Sequence, residues 1–172
     1  LSHRNMIING AMNIHQRGGS TSFAHDGTVN GYSLDRFRFT IDNSDEWDGT
    51  VQQHTMTSAE LNTTGFAKAY KLTTGTAESA IASNESAYIS QIIEAQNLQH
   101  LRYGTASAKT ITLSFWAKAS VTGTYAIGLY KPDTNNRVIN KTYTLQDEFM
   151  LGQMVMVEQV KQHSLWNSNG RI

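Results

Sequence analysis

Apolar and polar residues alternate along much of this chain, a period of two that marks strands with one buried face. From Leu34 to Asp42, Phe37, Phe39 and Ile41 share one face, while Arg36, Arg38 and Thr40 share the other. The clearest case is Thr110 to Lys118. There Ile111, Leu113, Phe115 and Ala117 point one way, and Thr110, Thr112, Ser114, Trp116 and Lys118 the other. Phe37, Phe39, Ile111, Leu113 and Phe115 are expected in one shared core. Val121-Thr122-Gly123-Thr124 reads as a hairpin-type connection into a return strand, Tyr125–Tyr130, with Tyr125, Ile127 and Leu129 on its apolar face. Pro132-Asp133 then turns the chain into a further strand, Arg137–Leu145.

Weaker patterns fill in the rest. Met12 and Ile14 alternate with polar neighbours, which suggests a half-buried strand closed by Gly18-Gly19. Trp47 opens a strand through Val51 and Met56, Phe66–Leu72 makes another, and Met154–Val160 one more. Residues 18–31, 57–65 and 73–86 are rich in Gly, Ser, Thr and Ala and read as loops. Tyr88–Leu101 fits both periods; a strand to about Glu94 followed by helical turns carrying Leu98 and Leu101 is preferred. So many short strands between frequent turn signals predict an all-β sandwich or barrel, in a single domain over residues 1–172.

Composition narrows the function classes. The 172 residues include 14 basic and 14 acidic ones, a formal net charge of zero. No basic stripe is visible, so nucleic acid is not expected as a partner. Without cysteine, disulfides and cysteine-based zinc sites drop out. The opening residues lack the long apolar stretch of a signal peptide, and no apolar run reaches the roughly 20 residues of a membrane span. A soluble chain is expected.

Two stretches resemble a known family. Asn5-Met6-Ile7-Ile8-Asn9-Gly10-Ala11-Met12 with Gln16-Arg17-Gly18 is similar to an opening of the form N-x-x-x-N-G, then Q-R-G, and Tyr32, Asp35, Arg36 and Phe37 match a following Y-x-x-D-R-aromatic strand. Gln91-Ile92-Ile93-Glu94 to Leu101, followed by Thr110–Lys118, is similar to a Q-x-I-E…L…T-L-S-F-W-x-K run. Both belong to phage tail-fibre and virion proteins with a jelly-roll domain related to carbohydrate-binding modules, a galactose-binding-like β-sandwich. The likeness covers roughly residues 4 to 145 and returns at Leu165-Trp166-Asn167-Ser168-Asn169-Gly170. Relatives continue beyond that turn, so a sandwich lacking its final strands, with 146–172 atypical, is expected.

Few residues suggest chemistry. Histidines 3, 15, 25, 54, 100 and 163 are scattered, with no His-x-x-x-His pair; surface or hydrogen-bonded roles outweigh a metal site, which needs three converging ligands. Asp45, Glu46 and Asp48 cluster beside Trp47, yet turns favour Asp on conformational grounds alone. Neither a nucleophile elbow nor a phosphate-binding glycine loop occurs. No catalysis is therefore expected. Asp35, placed by parity beside Phe37 and Phe39, needs a partner; Arg17 is preferred to a structural calcium, which requires six or more oxygens. Glycan binding would use exposed rings. Trp116, among Thr and Ser on a polar face, is the first candidate, and Trp47, Tyr88 and Tyr103 are secondary. Burial of Trp116 beneath the helical turn near Leu98 is the plainer alternative, because large aromatics are mostly buried.

The resemblance implies a non-catalytic domain in the virion, assembled in host cytoplasm and binding host-surface glycans or other virion proteins. A module targeting a polysaccharide-degrading enzyme and a purely structural oligomerisation domain are the alternatives. Self-association, as a dimer or trimer, is expected through the segment Met150–Val160, because missing strands leave an unpaired edge.

Overall fold

A computed structural model describes residues 5–16, 20–23, 27–131 and 137–156. Among the described residues strand accounts for 47% and helix for 11%, and every sheet is antiparallel, so the fold is all-β. The chain divides into two compact units, Leu1–Glu94 and Ala95–Ile172. The residues expected to share one core fall in both: Phe37 and Phe39 in the first, Ile111, Leu113 and Phe115 in the second. Neither Phe37 nor Phe115 is exposed.

In the first unit, β1 (Ser20–Phe23), β4 (Gly49–Thr55) and β5 (Lys68–Thr74) form one sheet in the order β1-β4-β5. β2 (Gly27–Leu34), β3 (Phe37–Ser44) and β6 (Ser86–Ser90) form the other, in the order β2-β3-β6. Alternation works as expected on β3: Phe39 and Ile41 are buried with Val51 of β4, and Trp47 and Tyr70 pack against them. Burying each such side chain contributes roughly 1.5–3 kcal/mol. Thr40 departs from the pattern. It lies on the opposite face in the central strand, with Tyr88 directly across, yet is only 1% exposed.

Several expected boundaries move. Leu34 ends β2 rather than starting the next strand, and Asp35-Arg36 is the hairpin turn that pairs Leu34 with Phe37. Arg36 there adopts φ 73°, a left-handed conformation uncommon outside glycine. β1 and β2 occupy much of the stretch taken for a loop, where a Ser-, Thr- and Gly-rich sequence hides the strands. Met12–Ile14 is no strand: Met12 has φ 56° and its N–H closes a turn onto the Asn9 carbonyl at 2.9 Å. The stretch 57–65 is not a loop but carries helix α1 (Ser58–Thr64). Thr57 and Glu60 make a reciprocal capping box, and Gly65 closes the helix at φ 77°. Such a cap contributes about 1 kcal/mol.

In the second unit, α2 (Ala95–Leu98) runs into a 3-10 turn, Gln99–Leu101, that buries Leu101. β6 stops at Ser90, short of the expected Glu94. β7 (Ile111–Ala117), β8 (Gly123–Lys131), β9 (Arg137–Leu145) and β10 (Met150–Met156) follow. β8 is not the partner of β7; it pairs with β9, from Gly123↔Leu145 to Lys131↔Arg137. β7 takes β10 instead, from Ala117↔Met150 to Ile111↔Met156. Turn residues at Val121–Thr124 signal a reversal but cannot choose a partner. The choice is visible at Phe115, whose ring lies where a Cβ on its cross-strand neighbour Gly152 would sit.

The two ribbons meet through Phe115 and Tyr143, packed edge to face at 5.2 Å, with Leu145 and Met154 buried. Tyr143 Oη and Lys141 Nζ both donate to the Gln153 carbonyl, at 2.9 and 3.0 Å. The segment expected at a contact between copies is thus, over Met150–Met156, a strand of its own unit. Residues 157–160 and the turn at Pro132-Asp133 lie outside the described residues.

Candidate functional site

The four candidate rings are divided between the units and meet very different surroundings. Trp47 follows the β3 terminus and packs edge to face on Phe39 at 5.9 Å, while its indole N–H donates to Thr74 Oγ1 at 3.2 Å. Its ring and its indole N–H are thus both engaged inside the first unit. Trp116 on β7 is half-buried, opposite Leu151, which is 58% exposed. Tyr103, in the turn before β7, is half-buried as well. Tyr88 differs. It stands on β6 at 47% exposure, and Tyr32 of β2 has a comparable 46% on the same face, which also carries the buried Thr40 across from Tyr88.

Arg38, Asp42, Ser86 and Ser90 share that face by register. Ser86 Oγ donates to Asp42 Oδ2 at 3.4 Å. The result is a pair of half-exposed phenol rings on a sheet with hydroxyl, carboxylate and guanidinium groups between and beside them. Tyr32 was not among the ligand candidates, having entered only as part of the Y-x-x-D-R-aromatic match. Its parity with Arg38 across the hairpin is the signal that finds it. Tyr130 on β8, 61% exposed beside Val138, is another exposed ring, on the face opposite the one expected to carry Tyr125, Ile127 and Leu129.

The acidic turn beside Trp47 is structural in two of its three members. Asp48 accepts from the Thr76 N–H at 2.7 Å and from its hydroxyl at 3.1 Å, and Glu46 accepts from the Ser79 N–H at 3.0 Å. They fasten the loop after β5. Asp45 instead lies near Glu78 and Glu85, with carboxylate oxygens within 4.8 Å of one another. Three such oxygens are fewer than calcium requires, and Glu78 and Glu85 already accept hydrogen bonds from Ser44 Oγ at 3.0 Å and the Ala82 N–H at 2.7 Å.

Asp35 is not on the strand face with Phe37. Its carboxylate accepts from the Gln16 N–H at 2.7 Å and its carbonyl from Asn9 Nδ2 at 3.0 Å, so it holds the N-terminal segment. The expected ion pair with Arg17 lies outside the described residues, as do His3, His25 and His163. Of the other histidines, His54 stands 3.7 Å from Glu60, and none joins a metal-binding group among the described residues. Burial pushes the Tyr70 phenol above its ordinary pKa, against the opposing effect of its 2.6 Å hydrogen bond with Ser33. Among the described residues, no helix is long and apolar enough to cross a membrane. Comparison with family models, curated proteins and solved structures returned no match.

Proposed function

We propose that this chain is a non-catalytic structural domain of a phage tail fibre or virion, built as a jelly-roll-type sandwich, that binds host-surface glycans. Support comes from the resemblance of Asn5–Phe37 and Gln91–Lys118 to that family and from the neutral, strand-rich chain. The observation that carries the ligand class is the face with Tyr32 and Tyr88 half exposed beside Arg38, Asp42 and Ser86. Ring faces stack on the apolar C–H patches of a pyranose, and the polar neighbours match its hydroxyls. Trp116 is a weaker contributor, being half-buried. A glycan array probed with the purified chain tests the reading. Retention of surface polysaccharides without release of shorter sugars is the expected result, and turnover that one carboxylate substitution abolishes would contradict it.

Self-association belongs to the same reading, since many copies per particle raise weak affinities by avidity. It rests on the β8–β9 ribbon, where Tyr130, Val138 and Ile139 are 61%, 44% and 47% exposed. Light scattering at micromolar concentration should find a dimer or trimer; a monodisperse monomer counts against it.

A further inference from the structure

The residues of the opening motif do one shared job. Residues 5–16 form no strand, and among the described residues their one backbone–backbone hydrogen bond is the turn from Met12 N–H to the Asn9 carbonyl. Side chains hold everything else. The Gln91 amide takes both polar groups of Ile8, accepting its N–H and donating to its carbonyl, each at 2.8 Å. Asn9 accepts the Ile14 N–H at 2.9 Å and donates to the carbonyls of Ile14 and Asp35 at 2.9 and 3.0 Å. Asp35 accepts the Gln16 N–H at 2.7 Å, and Gln53 Nε2 donates to the Met12 carbonyl at 2.6 Å.

These anchors surround one end of the first unit's interior. Asp35 is in the turn just before Phe37, and Gln91 follows Ser90, the partner of Arg38. Gln53 pairs with Tyr70, whose ring lies 6.4 Å from Phe37 and whose hydroxyl bonds Ser33. We infer that residues 5–16 are a strap that lifts as one piece from this end, latched by Asn9, Asp35, Gln53 and Gln91, and that its opening exposes Phe37 and the Ser33–Tyr70 hydroxyl pair without breaking a strand ladder. A segment tied only by side chains, with Ile8 and Ile14 already 47% and 50% exposed, opens at lower free energy than the sheets.

Native-state hydrogen exchange reads this directly, because the Ile8, Ile14 and Gln16 amides each donate to one side chain. Gln91→Ala touches only the two Ile8 bonds, yet should speed exchange at all three amides by about tenfold, the combined worth of two exposed hydrogen bonds. Amides of β3 should keep their rate. Gln91→Glu, which retains the acceptor for Ile8 N–H and loses the donor, should speed the same three by less, and it carries the test if the alanine variant does not fold. Acceleration of Ile8 alone, or of none of the three, would show independent contacts rather than a strap. Equal acceleration of the β3 amides would make the segment part of global unfolding. Either result overturns the inference.

Discussion

Phe39→Ala is expected to destabilise the first unit by about 3–5 kcal/mol, the range for emptying a buried phenylalanine site. Phe39 is 3% exposed, sits with Ile41 and Val51, and takes Trp47 edge-on. Its loss removes the ring's burial and leaves the indole without its aromatic neighbour. Neighbouring strands cannot collapse easily onto the space, because β2 and β6 flank β3 in fixed register. Phe37, half-buried at the end beneath Tyr70, should cost less than Phe39 although both sit on the same strand face. Urea denaturation of both variants gives the comparison. Equal losses, or a cost at Phe39 below about 1 kcal/mol, would mean that the packing at β3 is not the core of this unit.

Gly152→Val is expected to destabilise the second unit by about 1–3 kcal/mol. On an open strand, valine in place of glycine is favourable, since β-branched residues suit the pleat and glycine weakens it. Here the position is buried, and any Cβ would fall within the Phe115 ring. The ring must swing away, which breaks its edge-to-face contact with Tyr143 and loosens the packing between the two ribbons. The sign of the effect thus separates intrinsic strand preference from this contact. Shortening the obstacle should relieve it: in the Phe115→Leu background, Gly152→Val should cost less than it does alone, a coupling that thermal denaturation can measure. Additive costs would show that the ring and the glycine do not interact.

Local patterning made the strands legible and left their partners hidden. Strict alternation located β3, β7 and β9 within a few residues, because a period of two needs no knowledge of the rest of the chain. β1 and β2 were missed since Ser, Thr and Gly supply no apolar face to count. Helix α1 was legible but unread: Thr57-Ser58-Ala59-Glu60 is a capping box in plain sequence, overlooked because a polar stretch suggested a loop. The choice of β10 over β8 as partner of β7 is a long-range property that turn residues cannot encode. The ring candidates followed the same division. Trp47 was a secondary ring candidate, and its indole packs on Phe39 and donates to Thr74. Tyr88 is exposed as a platform requires, and only the pairing of β6 with β3 and β2 reveals that Tyr32 shares its face. Asn9, Asp35 and Gln91 carried the resemblance, and their hydrogen bonds show that they fasten the chain itself.

The central functional claim is that the face carrying Tyr88 and Tyr32 contacts a glycan, and calorimetric titration of a glycan retained on the array tests it most directly. Tyr88→Ala alters an exposed side chain and should change stability by no more than about 0.5 kcal/mol. It should nevertheless weaken glycan binding by about tenfold or more, the worth of an aromatic stacking contact, and Tyr32→Ala should do likewise. Unchanged affinity in both variants, with their folds intact, would contradict the account.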